Sequence, residues 1–276
     1  MDMKPANFRA DDLPLFDPAR PELRYDLPRA WRHFLALVAN KEDTREVFHI
    51  FEALPFKGLR DAAESFFASP EGQAVRAAEP FLPPILDDHA ALRIMPAGSL
   101  AHAYCDFMEA EGLTAQGLVD EFASFMEGRP HYEDQFEWYL DRLRDTHDLL
   151  HVLTGFGRDS LGEQCVLAFT YSQQPSPAHL FIAYAGAREI KSKVKSAAPV
   201  YGAVREGQRL GKACPRLIEM SVRELLPLPL EEVRVRLNIT PPVEYFRAHA
   251  IWRGMSVDPY ELMAPEKRGD QVVGAA

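Results

Sequence analysis

The chain has no run of eighteen apolar residues, so nothing in it reads as a membrane-crossing helix. Its opening residues, Met1-Asp-Met-Lys-Pro5, carry no apolar stretch, which argues against a secretory signal. Cysteine is scarce. Cys105, Cys165 and Cys214 are odd in number and far apart, which suits a reducing cytoplasm and argues against a disulfide framework. Positive charge is outnumbered, 31 Lys and Arg against 41 Asp and Glu, and the net charge of −10 disfavours nucleic acid as a partner. Alternating apolar–polar runs are nearly missing and no internal repeat is visible, which leaves little room for strands. What remains, 47% hydrophobic residues in a chain of 276, suffices for a sizeable core.

Helical spacing fills most of the chain. Ala30, Phe34, Leu35 and Val38 share one face, as do Val47, Ile50 and Phe51, and then Leu59, Ala62, Phe66 and Phe67. Pro80, Pro83, Pro84 and Pro96 make residues 79–99 mostly irregular, and Ser99 reads as the cap of a new helix. Phe136 to Thr154 reads as one helix whose stripe is Phe136, Leu140, Leu143, His147, Leu150 and Thr154. Gly207 and Gly211 form a small-residue ridge that would let two helices approach closely. The expected fold is all-α: a single multi-helix bundle over residues 25–264, an extended proline-rich N-terminal arm over 1–24 and a flexible tail over 265–276.

The chemistry concentrates between Arg144 and Glu163. His147 and His151 are four apart, so on a helix they stack on one face a turn from each other. Asp148 falls within the same arc. Gly155 and Gly157 break the helix, and Asp159-Ser160 reads as the N-cap of the next, with Glu163 in its first turn. A connection this short folds two helices back antiparallel and brings Glu163 level with His151. His147, Asp148, His151 and Glu163 are therefore the candidate ligands of a divalent metal, and with it the candidate catalytic residues. Zinc leads, with iron or manganese as alternatives.

A plainer reading competes. Ser160-x-x-Glu163 matches a capping box, in which the carboxylate only satisfies the start of a helix. Arg144 either pairs with Asp148 one turn on or binds an anionic group of a substrate. A zincin-like peptidase would need His-Glu-x-x-His, and Asp148 stands where that glutamate belongs.

His147-Asp148-x-x-His151, followed by eleven residues and Glu163, resembles the signature of the Coq4 family of ubiquinone-biosynthesis proteins. Leu92 to Tyr104, with Pro96, Gly98, Ser99 and Leu100, is similar to a second segment of that family, and Pro229, Leu230, Val233, Arg234, Leu237 and Ile239 to a third. The resemblance covers roughly residues 28–245. It implies an all-helical protein holding a metal, usually zinc, on the four motif residues, and an oxidative decarboxylation at C1 of a prenylated benzoquinone precursor. It also implies other ubiquinone-biosynthesis proteins as partners, peripheral attachment to the cytoplasmic face of the inner membrane, and room for a homodimer. The alternative within the same resemblance is a non-catalytic, lipid-binding scaffold with a structural metal.

Overall fold

The computed structural model describes residues 13–40 and 43–262, so the expected tail and the first twelve residues of the arm lie outside the described residues. Among the described residues no strand forms, and the fold is all-α. The chain begins with α1 (Leu27–Ala39), α2 (Arg45–Ala53), α3 (Leu59–Ala68) and α4 (Pro70–Ala78). The proline-rich stretch holds two single turns, α5 (Pro83–Leu86) and α6 (His89–Leu92), before α7 (Leu100–Glu111) and α8 (Ala115–Phe125). The motif region supplies α9 (Gln135–Asp145), α10 (His147–Thr154) and α11 (Ser160–Gln173). Then come α12 (Pro177–Lys193), α13 (Val200–Ala213), α14 (Val222–Leu225), α15 (Leu230–Arg236) and α16 (Val243–Gly254).

Local chemistry sets the ends. Asp26, Ser69, Ser99, Thr114 and Asp134 each accept a backbone N–H of the helix they open. The start of α7 is also held from outside, where Leu100 and Ala101 donate their N–H groups to the carbonyls of Leu228 and Leu226 at 2.8 and 2.9 Å.

The main core gathers α7, α10, α11, α13 and α16 around Leu100, Tyr104, Leu149, Phe156, Phe169 and Trp252. A smaller cluster joins α1 and α2 to the start of α12, and a third joins α3 and α4 to α9. All three cysteines are buried and free.

Residues 136–154 are two helices rather than one. Thr146 interrupts them, with its hydroxyl donating back to the carbonyls of Arg142 (3.0 Å) and Leu143 (3.3 Å). The buried residues of α9 are accordingly Phe136, Tyr139, Arg142 and Asp145, while the Leu140 and Leu143 of the expected stripe are only partly buried against the same cluster. Burial of a guanidinium is tolerable because Arg142 donates to Glu79 (2.8 Å) and to the carbonyls of Ile218 (3.2 Å) and Met220 (2.7 Å).

The centre of the bundle is the packing of α11 on α13, and the glycine ridge is its contact surface. A Cβ on Gly207 would stand 2.4 Å from the carbonyl oxygen of Cys165, and one on Gly211 would stand 2.3 Å from that of Phe169. The obstacle is backbone, which cannot turn aside. Gly207→Ala should therefore destabilise the protein by roughly 1–3 kcal/mol, read as a lower urea midpoint with unchanged slope.

Candidate metal centre

Four features of the turn between α10 and α11 fix the site. Gly155 ends α10 in the left-handed conformation (φ 77°), and its N–H reaches the carbonyl of His151 at 2.9 Å. Arg234 of α15 donates to the carbonyls of Leu153 and Val152, both at 2.9 Å, and so closes the same helix end. The chain then curls back so that His151 Nδ1 donates to the carbonyl of Phe156 at 3.0 Å. A carbonyl only accepts, so the proton sits on Nδ1 and the Nε2 lone pair is turned to the site.

Asp159 is the fourth. It is fully buried and caps α11, its Oδ1 accepting from Leu161 N (3.0 Å), Gly162 N (3.3 Å) and His249 Nε2 (3.1 Å). Tyr245 donates its hydroxyl to Oδ2 and accepts the N–H of Gly157 at 3.0 Å. With Asp159 as the cap, Ser160 is already inside the helix and its hydroxyl has no hydrogen-bond partner. The capping box does not form. Glu163 stands one position further on, its carboxylate free to face α10.

His147 Nε2 and His151 Nε2 are 3.3 Å apart, and Glu163 Oε2 lies 3.6 Å from the first and 3.5 Å from the second. Donor atoms about 2.0–2.2 Å from a tetrahedral metal stand roughly 3.3–3.6 Å from one another. The residues present therefore fit a divalent ion held by three ligands. The His151 side chain is fully buried and lies flat against Phe107 at 5.5 Å. His147 and Glu163, at 29% and 31% side-chain exposure, leave one side of the triangle open.

Burial opposes charge on His151, yet the Glu163 carboxylate outweighs it, with help from Asp148, and raises the imidazole above its ordinary pKa. Burial pushes Glu163 upward in turn, but His151 and His147 together hold it well below the usual carboxylate range.

Two expected site residues fall elsewhere. Asp148, in the first turn of α10, is outside the group of three whose donor atoms lie within 4.8 Å of one another. Its charge is felt by His151 and by the buried hydroxyl of Tyr104, which makes no hydrogen bond. Arg144 does not meet Asp148, because the break at Thr146 takes α10 out of register with α9. It pairs instead with Asp141 (2.8 Å) and Asp145 (2.7 Å), which leaves it no free fork for a substrate.

Tyr245 and His249, which position the site through Asp159, were not legible as such. Their spacing of four on α16 is the only trace of it in the sequence. A second grouping, His89, Cys105 and Glu109, is closed by Arg93, whose guanidinium already holds Glu109 at 2.8 Å. A shallow apolar cleft lined by Leu149, Leu150 and Leu153 opens on the flank of α10 away from the histidines.

The chain matches the family model "Coenzyme Q (ubiquinone) biosynthesis protein Coq4" over residues 33–243. The rat "Ubiquinone biosynthesis protein COQ4 homolog, mitochondrial" is 24% identical over 197 residues, 70% of this chain and 69% of that one. The "COQ4 homolog 2, mitochondrial" of Culex quinquefasciatus is 30% identical over 132 residues, 48% of this chain and 56% of its own. A crystal structure from Nostoc punctiforme PCC 73102 has a TM-score of 0.55 and 22% identity, covering 78% of this chain and 98% of that one; the fold is shared.

Removing the Tyr245 hydroxyl should test the brace behind the triangle. Tyr245→Phe takes a donor from a buried carboxylate and an acceptor from Gly157 N, and should lower stability by about 1–3 kcal/mol, measured by urea unfolding of metal-free protein.

Proposed function

The chain belongs to the Coq4 family of coenzyme Q (ubiquinone) biosynthesis proteins, and we propose that its step in ubiquinone biosynthesis is a metal-dependent oxidative decarboxylation at C1 of a prenylated benzoquinone precursor. What supports the reading is the triangle of donors from His147, His151 and Glu163, 3.3–3.6 Å on edge and open on one side. These three would hold the ion, zinc first, with iron or manganese able to take the same donors. When bound, the ion supplies Lewis-acid polarisation of a ring oxygen. Zinc has no redox chemistry, so the electrons released go to dioxygen, a second metal or a partner protein of the pathway.

The chain's own residues position and shield. The Phe156 carbonyl keeps the His151 proton on Nδ1. Phe107 lies flat against the His151 imidazole and holds its plane. Asp148 offsets positive charge beside the triangle rather than joining it. No helix among the described residues is long and apolar enough to cross a membrane. We place the protein peripherally, at the cytoplasmic face of the inner membrane, where a lipid-tailed substrate and the other ubiquinone-biosynthesis proteins would be met. A second reading, a lipid-binding scaffold whose metal braces the α10–α11 hairpin, draws on the full burial of the His151 side chain. Turnover of precursor by the purified, metal-loaded chain alone separates the two.

His147→Ala and Glu163→Ala should each abolish both bound metal and ubiquinone production in cells that depend on this chain. A variant that holds no metal yet sustains full quinone synthesis would overturn the reading.

Proton linkage gives an independent check. Without metal, the His151 contribution is complete below the ordinary histidine pKa and fades as pH rises through the raised one. Glu163, depressed, keeps its contribution throughout that range and loses it only well below the usual carboxylate pKa. Metal requires neutral imidazole, so its affinity should climb roughly tenfold per pH unit for each proton displaced. Thermal unfolding with and without zinc should show the gap between the two forms widening as pH increases.

A further inference from the structure

We propose that Arg158 is the residue that receives the carboxylate of the substrate at this centre, a role that rests on the decarboxylation reading above. Arg158 lies in the turn between α10 and α11, directly before the capping Asp159. Its Nε is 3.8 Å from Glu163 Oε1, the oxygen turned away from the histidines, and a terminal nitrogen is 4.0 Å from Glu111 Oε2. Neither separation is a hydrogen bond. Among the described residues the guanidinium is held between two carboxylates by charge alone, with its fork of donors unspent.

The neighbouring arginines are not in this condition. Arg144 is spent on Asp141 and Asp145, Arg142 on Glu79, and Arg234 on two carbonyls of α10. Arg158 is about a third exposed and stands beside Glu163, itself one of the two exposed corners of the triangle. Its backbone cannot wander, because Gly157 is pinned by the Tyr245 hydroxyl and Asp159 by Tyr245 and His249. The side chain alone is free to turn. A planar fork matches a carboxylate bidentately, and a weakly held ion pair costs little to leave. Once Glu163 gives its charge to an ion, the hold on Arg158 weakens further, and the fork is available to an incoming acid. The plainer alternative is that Arg158 only neutralises Glu111 and Glu163.

Two probes separate these roles: para-hydroxybenzoate carrying a geranyl group, and the matching geranylphenol without the carboxyl. Their affinities for zinc-loaded wild type, Arg158→Gln and Arg158→Lys are measured by titration calorimetry, alongside zinc content. Wild type should prefer the acid by roughly 10- to 100-fold. R158Q should lose that preference while keeping zinc and its affinity for the phenol, and R158K should keep part of it, having the charge without the fork. A preference equally strong in R158Q overturns the role of Arg158 and leaves the decarboxylation reading standing. Loss of zinc from R158Q overturns it too, by making the guanidinium a brace for Glu163. Wild type with no preference for the acid sinks the decarboxylation reading itself, and Arg158 with it.

Discussion

A buried carboxylate governs the architecture of the site. Asp159 is cut off from water, and an ionised group there is sustained only by the donors that surround it. Those donors come from three places: the first N–H groups of α11, the hydroxyl of Tyr245 and the imidazole of His249. Satisfying them fixes the residue at which α11 begins, and hence the angle at which every later side chain leaves it. A start one residue later would make Glu163 the partner of a capping box and turn it off the histidines. The same set of bonds draws α16 over the turn. Helix phase and tertiary packing are thus settled by one group.

Two close approaches make the arrangement rigid. Gly162 lies so near the Gly157 carbonyl that a Cβ on it would stand 1.9 Å from that oxygen, which brings the first turn of α11 hard against the loop. On the next turns, Gly207 and Gly211 seat α13 on the backbone of α11. Glu163 therefore sits on a helix gripped from both sides, and His151 on one closed by Arg234 and Phe156. Donors carried by packed helices have little freedom to drift apart, which is what a metal-binding hairpin requires.

Much of this was legible in the sequence, because the signals were local. The spacing of His147 and His151, the glycine break and the Asp159 cap each depend on neighbours within a turn or two, and each stands where it was expected. The glycine ridge was legible for the same reason. The misreadings lie where a distant partner decides. Thr146 carries no strong signal for ending a helix, yet α9 turns there to bury Arg142 against Glu79, and the register that would pair Arg144 with Asp148 is lost. Asp148 shares an arc with the histidines, but an arc on one helix does not say which carboxylate the opposing helix will bring closest. Tyr245 and His249 are about ninety residues downstream of Asp159, and no local pattern links them to it.

The shape of the triangle also bears on whether a metal there would work or merely brace. Structural zinc sites are closed, with four protein ligands that exclude water, whereas catalytic ones keep three and leave a position open. Here three donors converge, Asp148 as the remaining residue of the motif is not among them, and two of the three side chains reach solvent. A brace would gain from bringing Asp148 in, since a fourth ligand ties the hairpin more firmly. Glu163, one of the two exposed corners, has beside it instead an arginine with unspent donors. An anionic molecule would find positive charge beside two exposed ligand side chains there, and that combination is what supports the catalytic reading proposed above.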